Sequence, residues 1–364
     1  MDLWDVDVKR TFNFQSESSF LLDRTKETLG LLYDMHWPHR QYVTGRDVYK
    51  SPLHDRLIAA GAVMGEVAGI ERPNWYAFGG ESSYRHTYGK PNWFDACQRE
   101  CDLVEGSVAL FDQSSYPVFE VTGGQALDFL ERLSANRVDV DQDQVVYTQW
   151  LNEAGGIEAD VTITRLSDQK FMIVGACASS RRDYYWMKRH AAQFDCEIEF
   201  VTGKKILGVM GPKSRELLCS LSALPQEITE LKYYRSKTID IGGLCVRANR
   251  LSYVGELGYE LLVEDRDMVV LFDLLREPGR SVEVGLAGFH AMNSCRIEKG
   301  YRHWGHDIHD HIDPFEAGLS FAVDLDKPDF VGRESLFKSK SANLRRLCGL
   351  SIECEDAPFM IHDE

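Results

Sequence analysis

The sequence predicts an α+β fold with mainly antiparallel sheets, and three observations carry that reading. From Trp93 onward, segments with apolar residues at helical spacing alternate with short β-rich runs. That grammar occurs twice in succession, over 93–175 and again over 205–275. Composition is globular, with 44% hydrophobic and 27% charged residues in 364, a length that suits roughly two to three domains.

In chain order, 21–33 has helical apolar spacing, and Met35-His36-Trp37-Pro38 stops it, because a residue before proline avoids the helical region. Ser51-Pro52 opens a short helix through Ala60, which Gly61 ends. Glu71-Arg72-Pro73-Asn74-Trp75 reads as a boundary, followed by the polar linker Gly79-Gly80-Glu81-Ser82-Ser83. An amphipathic helix follows over 93–104, strand-like segments over 108–121 and a helix over 125–133. Two strands, 161–164 and 171–175, flank a Ser167-Asp168 turn. In the second unit, strand 205–210 turns at Gly211-Pro212 into helix 214–221, and strand 244–251 precedes helix 268–275. At the end, 347–354 reads as a lone strand with nothing after it to pair with.

Lys plus Arg number 41 against 57 Asp plus Glu, a net charge of -16. Such a surface repels phosphate backbones and anionic lipid, which argues against nucleic-acid and membrane partners. No apolar run approaches the roughly 20 residues of a spanning helix. Nine cysteines form no CxxC pair, which fits reduced thiols in the cytoplasm, or in the mitochondrial matrix of a eukaryote. GxGxxG, GxxxxGK[ST], GxSxG and HExxH are all missing, so FAD, NAD and ATP are not expected to bind this chain in their usual ways.

Three segments remain as candidates. His303-Trp304-Gly305-His306-Asp307-Ile308-His309-Asp310-His311 has the residue types of a Zn²⁺ or Fe²⁺ site, but the glycine and the Asp313-Pro314 break argue against one helix presenting them. A polar loop is the plainer reading, and no metal is expected. In the second segment an aromatic-bearing strand with Tyr147 turns at Gly155-Gly156 and returns, with Asp160 where the returning strand begins. That is either a hairpin with a turn-stabilising acid, or an acid beside an aromatic floor suited to a flat, polar heterocycle. Tyr253-Val254-Gly255-Glu256-Leu257-Gly258-Tyr259-Glu260 repeats the pattern. A carboxylate accepts two parallel N–H bonds from an amino-pyrimidine edge, so two aromatics and two acids would make a pterin site.

These residues resemble the glycine-cleavage T-protein (aminomethyltransferase) family over about 111–336. The motifs are Phe111-Asp112-Gln113-Ser114-Ser115, Tyr147 through Gly156, Val209-Met210-Gly211-Pro212-Lys213, Tyr253 through Glu260, Pro314-Phe315-Glu316-Ala317-Gly318-Leu319 and Phe330 through Leu336. Within the family the likeness is nearer to the C-terminal, folate-binding half of dimethylglycine and sarcosine dehydrogenases. Glu71 through Trp75 and Arg296-Ile297-Glu298-Lys299-Gly300-Tyr301-Arg302-His303-Trp304-Gly305 look like theirs.

The resemblance implies a multi-domain cloverleaf around a central tetrahydrofolate cleft. In it, 1–76 is a linking segment, 77–340 the folate-binding core, and 341–364 the start of a C-terminal barrel that is cut short. FAD is then expected only on a separate or missing oxidoreductase domain or subunit. Asp160 matches the family acid near folate N10, Tyr147 an aromatic packing on folate, and Tyr253 and Glu260 pterin contacts. Trp304 belongs to a family loop near the cleft. At Ala291-Met292-Asn293 the family's Gly-Ala-Arg-Asp run is broken by a methionine, which counts against a lipoyl-protein substrate. The implied chemistry is one-carbon transfer, in which a flavin unit oxidises a small methylated amine and tetrahydrofolate captures the carbon. Two other readings stand beside it: a stand-alone folate-dependent demethylase or methyltransferase, and a non-catalytic regulatory relic of the fold.

Overall fold

The computed structural model describes residues 3–277, 281–342 and 345–353. An N-terminal arm carries α1 (Ser18–Gly30) and α2 (His54–Ala59), then a two-stranded hairpin of β1 (Ala62–Val67) and β2 (Ile70–Tyr76). Glu71–Trp75, read from sequence as a boundary ahead of the 79–83 linker, lies within strand β2. Pro73 is tolerated because the register shifts between Val63 and Met64, opposite it, and a bulge needs no ladder N–H there. Buried Glu71 accepts both arms of the Arg46 guanidinium, at 2.7 and 2.6 Å, which ties the hairpin to the arm.

The first unit runs α3 (Phe94–Gly106), β3 (Val108–Asp112), β4 (Val118–Thr122), α4 (Ala126–Leu133), β5 (Val145–Leu151), β6 (Ile157–Ser167), β7 (Lys170–Val174), α5 (Ser180–His190) and β8 (Glu197–Val201). The second runs β9 (Lys204–Met210), α6 (Ser214–Leu221), α7 (Pro225–Thr229), β10 (Ser236–Ile241), β11 (Leu244–Asn249), β12 (Gly258–Glu264), α8 (Met268–Leu275), β13 (Val284–Leu286), α9 (Phe289–Glu298) and α10 (Arg333–Ala342). Strands order as β5-β6-β7-β4-β8 in one sheet and β10-β11-β12-β9-β3-β13 in the other. Of the strand pairs among the described residues only β13 with β3 is parallel, so the α+β, mainly antiparallel class holds.

Each sheet buries one face under helices. Phe129, Leu130 and Leu133 of α4 and Met187 of α5 pack on the five-stranded sheet at Phe119, Val161 and Phe171. Leu217, Leu218, Leu271 and Phe272 of α6 and α8 pack on the six-stranded sheet at Leu207, Val209 and Leu261. The other faces meet at Val118, Met172 and Val174 against Ile206 and Leu262. Strand β9 is thus covered on both sides, which is why its run Ile206-Leu207-Gly208-Val209-Met210 is unbroken by polar residues.

The expected strand over 347–354 is also corrected. Residues 347–353 form no strand; they are exposed, and Leu347 N–H bonds to Glu316 O at 2.8 Å rather than to a sheet edge. Position 354 and the rest of the expected barrel start lie outside the described residues. No helix among the described residues is long and apolar enough to cross a membrane.

Candidate functional site

The β5–β6 hairpin sets the first half of the site. Its register pairs Tyr147 with Thr162 and Gln149 with Asp160, so Tyr147, Gln149 and Asp160 share one face. Asp160 stands fourth in β6, not at its start, because the returning strand begins at Ile157. Gln149 Nε2 donates to Asp160 Oδ1 at 2.9 Å. Burial pushes the Asp160 carboxyl up to about 6, while the Gln149 amide, the Tyr147 hydroxyl and the Arg302 charge favour ionisation and hold it from going higher. Burial also keeps Tyr147 far above the ordinary phenol range, so its hydroxyl remains a donor.

The 303–312 loop is nailed to this hairpin. Trp304 Nε1 donates to Ile157 O at 2.9 Å, Ile157 N to Ile312 O at 3.0 Å, and Asn152 Nδ2 to Asp310 O at 2.9 Å. Gly156 permits the approach, since a Cβ there would lie 1.8 Å from Asp310 O. Trp304 therefore spends its N–H on the hairpin backbone and packs in the same apolar cluster as Tyr147. His303 is pushed down to about 3 by burial and neighbouring positive charge, and its backbone N–H bonds Asp307, which also pairs with Arg296. Among the described residues no group of three or more His, Cys, Asp or Glu side chains is placed to hold a metal ion.

The second half sits on the six-stranded sheet. Glu260 on β12 is paired with Asn249 on β11 and Gly208 on β9. Gly208 makes room for Gln113: a Cβ there would meet Gln113 Oε1 at 2.5 Å. Gln113 Nε2 donates to Glu260 Oε1 at 3.4 Å, while Glu260 Oε2, Gln113 Oε1 and both side-chain polar atoms of Asn249 are buried with no partner among the described residues. Burial raises the Glu260 carboxyl to about 7.

Tyr253 links the halves. Its hydroxyl donates to Arg302 O at 2.6 Å, its ring stacks on Tyr301 with centroids 6.1 Å apart, and it lies within electrostatic reach of Asp160 and Tyr116. Tyr116 in turn lies within reach of Glu260. Asp160, Tyr147, Tyr116 and Tyr253 are enclosed by protein yet each keeps accessible surface, as groups lining an interior cleft do. The structure thus gathers Asp160, Tyr147, Tyr253 and Glu260, and sets Trp304 in the apolar cluster that also holds Tyr147. Gln113, Gln149 and Asn249 were missed by sequence reasoning; for Gln149 the strand period, two residues from Tyr147, was signal enough.

The GCVT N-terminal domain family matches residues 53–327. The chain belongs to that family. An FAD dependent oxidoreductase central domain matches residues 1–51 of this GCVT chain. It is 42% identical to 4-methylaminobutanoate oxidase (formaldehyde-forming) of Paenarthrobacter nicotinovorans, over 99% of this chain and 44% of that protein. It is 30% identical to mitochondrial dimethylglycine dehydrogenase of Homo sapiens, over 98% of this chain and 42% of that one. The GCVT chain thus spans less than half the length of these relatives. The crystal structure of the glycine cleavage system aminomethyltransferase T from Bartonella henselae superposes with TM-score 0.69 at 24% identity, covering 81% of this chain and 76% of that one, which establishes the T-protein-like fold.

Proposed function

We propose that this chain is the tetrahydrofolate-binding, one-carbon-transferring part of a flavin-dependent system that demethylates a small N-methyl amine of the 4-methylaminobutanoate, dimethylglycine or sarcosine kind. The observation that carries it is the unpartnered edge formed by Glu260 and Asn249 on one sheet, with Tyr253 within electrostatic reach of Asp160 on the other. A carboxylate and an amide side by side match the donor and acceptor edge of an amino-pyrimidine ring, so the residues present fit a pterin. Tyr253 and Tyr147 supply flat apolar walls.

Tetrahydrofolate, when bound, supplies the weakly basic nitrogen that takes up the carbon. Asp160, titrating near 6, is largely ionised at neutral pH and serves as the proton acceptor that this nitrogen requires. Gln149 fixes the orientation of that carboxylate through its hydrogen bond. The enclosed walls keep water from the reactive carbon. Such chemistry asks the flavin of a separate domain or subunit to oxidise the amine first. The match of residues 1–51 to an oxidoreductase central domain supports that arrangement.

Calorimetric titration with tetrahydrofolate, followed by a methylene-transfer assay with formaldehyde as donor, tests the assignment. Glu260→Gln should weaken binding by about 1.5–3 kcal/mol, the range for a hydrogen bond to a charged group. Asp160→Asn should spare binding and slow transfer roughly 10²–10⁴-fold. Loss of binding in Asp160→Asn with full binding in Glu260→Gln would show the two roles to be exchanged. No binding by the unaltered chain would leave the regulatory relic as the better account.

A further inference from the structure

Arg72 on β2 is a buried cation without an anion. Its guanidinium lies over the Phe289 ring, 4.2 Å from the centroid, and its Nε is buried with no hydrogen-bond partner among the described residues. Among the described residues it forms no ion pair. The nearest acid from its own hairpin, Glu66, is already committed to Arg24 at 2.7 Å. Around it stand groups held neutral: Tyr84 and Tyr116, raised by burial, and His39, His290 and His303, lowered by burial with Arg72 adding to the effect. Elsewhere the chain pairs such groups, as Arg46 with Glu71 and Arg182 with Glu158. An unpaired buried charge is strongly unfavourable, and a guanidinium offers two parallel N–H donors that match a carboxylate.

The position of Arg72 gives the rest. Tyr116 lies within electrostatic reach of Arg72 on one side and of Glu260 and Tyr253 on the other, and its ring is 6.0 Å from Phe289. Arg72 keeps accessible surface although it is enclosed, as the cleft-lining groups do. It is held there by Glu100, whose carboxyl accepts Tyr76 N–H at 2.7 Å and Gly288 N–H at 2.8 Å, clamping β2 to the start of α9.

We propose that Arg72 anchors the carboxylate of a small ligand in this cleft, the oxidised amine handed on by the flavin unit being the source to which we assign it, with the parent amine as its stable stand-in. The chemistry takes carboxylated N-methyl amines and disfavours their neutral-tailed counterparts, so Arg72 is a specificity-determining residue contributed by the arm. This rests on the one-carbon-transfer reading, and the folate glutamyl tail is the other source of the same carboxylate.

The test is a set of calorimetric titrations of the full chain with 4-methylaminobutanoate and N-methylpropylamine, and with tetrahydrofolate and tetrahydropteroate, in the unaltered protein, Arg72→Lys and Arg72→Met. The unaltered chain is expected to bind 4-methylaminobutanoate at least tenfold tighter than N-methylpropylamine. Arg72→Met should abolish that preference and Arg72→Lys retain part of it. Because an unpaired buried charge is removed, Arg72→Met should also raise the melting temperature of the ligand-free chain, whereas loss of a structural ion pair would lower it. If the preference for tetrahydrofolate over tetrahydropteroate collapses instead, the anchor holds and the carboxylate is the folate tail's. Survival of both preferences in Arg72→Met, their absence from the unaltered chain, or a lowered melting temperature would overturn the proposal. Arg72-dependent binding of 4-methylaminobutanoate by a chain that binds no tetrahydrofolate would sink the folate reading and keep the anchor.

Discussion

Removing the Gln149 amide should move the titration of Asp160 upward without touching the carboxyl itself. Gln149 Nε2 bonds Asp160 Oδ1 at 2.9 Å and is the largest of the influences holding that carboxyl down against burial. A hydrogen bond to a charged acceptor contributes about 1.5–3 kcal/mol, and about 1.4 kcal/mol corresponds to one pH unit. Gln149→Met, close in volume, should therefore shift the acidic limb of one-carbon transfer by about one to two pH units. The limb starts from about 6, so it should land between about 7 and 8. Sign follows directly: the ionised form is the base, so activity rises with pH through this value in both proteins. At pH 7 the variant should be roughly 2- to 10-fold slower, and by pH 9 it should regain the rate of the unaltered chain. Single-turnover transfer measured from pH 5 to 9 gives both limbs. A limb that stays near 6 in the variant, or a deficit that persists at pH 9, would refute the idea that Gln149 acts through the charge on Asp160.

Glu260 titrates near 7 in the ligand-free chain and binds best as a carboxylate, so tetrahydrofolate affinity should fall up to about tenfold per pH unit below that point; calorimetry at pH 6 and 8 should show it, and a flat profile would count against Glu260 as the acceptor. Glu100, raised to about 8 by burial from an ordinary 4.5, stabilises the fold fully only below its unfolded value and loses that contribution as pH climbs through 8, an upper limit of about 4–5 kcal/mol. Urea unfolding of Glu100→Gln at pH 5 and 8.5 should show the unaltered chain's advantage shrinking with pH, and a constant difference would argue that Glu100 stays ionised.

Much of the fold was legible because its elements carry their own period. Helices α6 and α8 occupy the residues that their apolar spacing marks, since each lays one face on a sheet. Helix α5 was not seen. Its aromatic and apolar residues, Tyr184 to Met187, stand in one run rather than at helical spacing, and two of the three residues it buries, Ser180 and Asp183, are polar. Strand β2 was misread because proline marks a boundary in sequence, yet a two-stranded ribbon with a bulge accepts it. At the site, Tyr147 and Asp160 were legible through aromatic, glycine and acid spacing. Asn249 and Arg72 were not, because a polar residue within a strand reads as a solvated face, and Gln113, just past the end of β3, carries no periodic signal of its own. Only the second sheet and the arm, arriving from far along the chain, bury them.

The lack of partners at the cleft is itself an argument for a ligand there. Gln113 Oε1, Glu260 Oε2 and the two polar atoms of the Asn249 amide are buried and unpaired among the described residues, on side chains that adjoin across neighbouring strands. At about 1–3 kcal/mol each, four such atoms amount to roughly 4–12 kcal/mol, the size of the whole stability of an ordinary domain. Other unpaired atoms occur among the described residues, at Trp75 Nε1 and Tyr76 Oη for example, but none of them is a carboxylate paired in register with an amide. Where this chain joins its parts it completes the pairing: Glu71 with Arg46, Glu66 with Arg24, Lys327 with three backbone carbonyls. As at Arg72, the sequence that follows the pairing rule at its joints leaves it unmet around Glu260. A polar, flat molecule with its own donors and acceptors would restore the rule there through one ligand, because register places the Glu260 carboxylate and the Asn249 amide directly opposite each other on neighbouring strands.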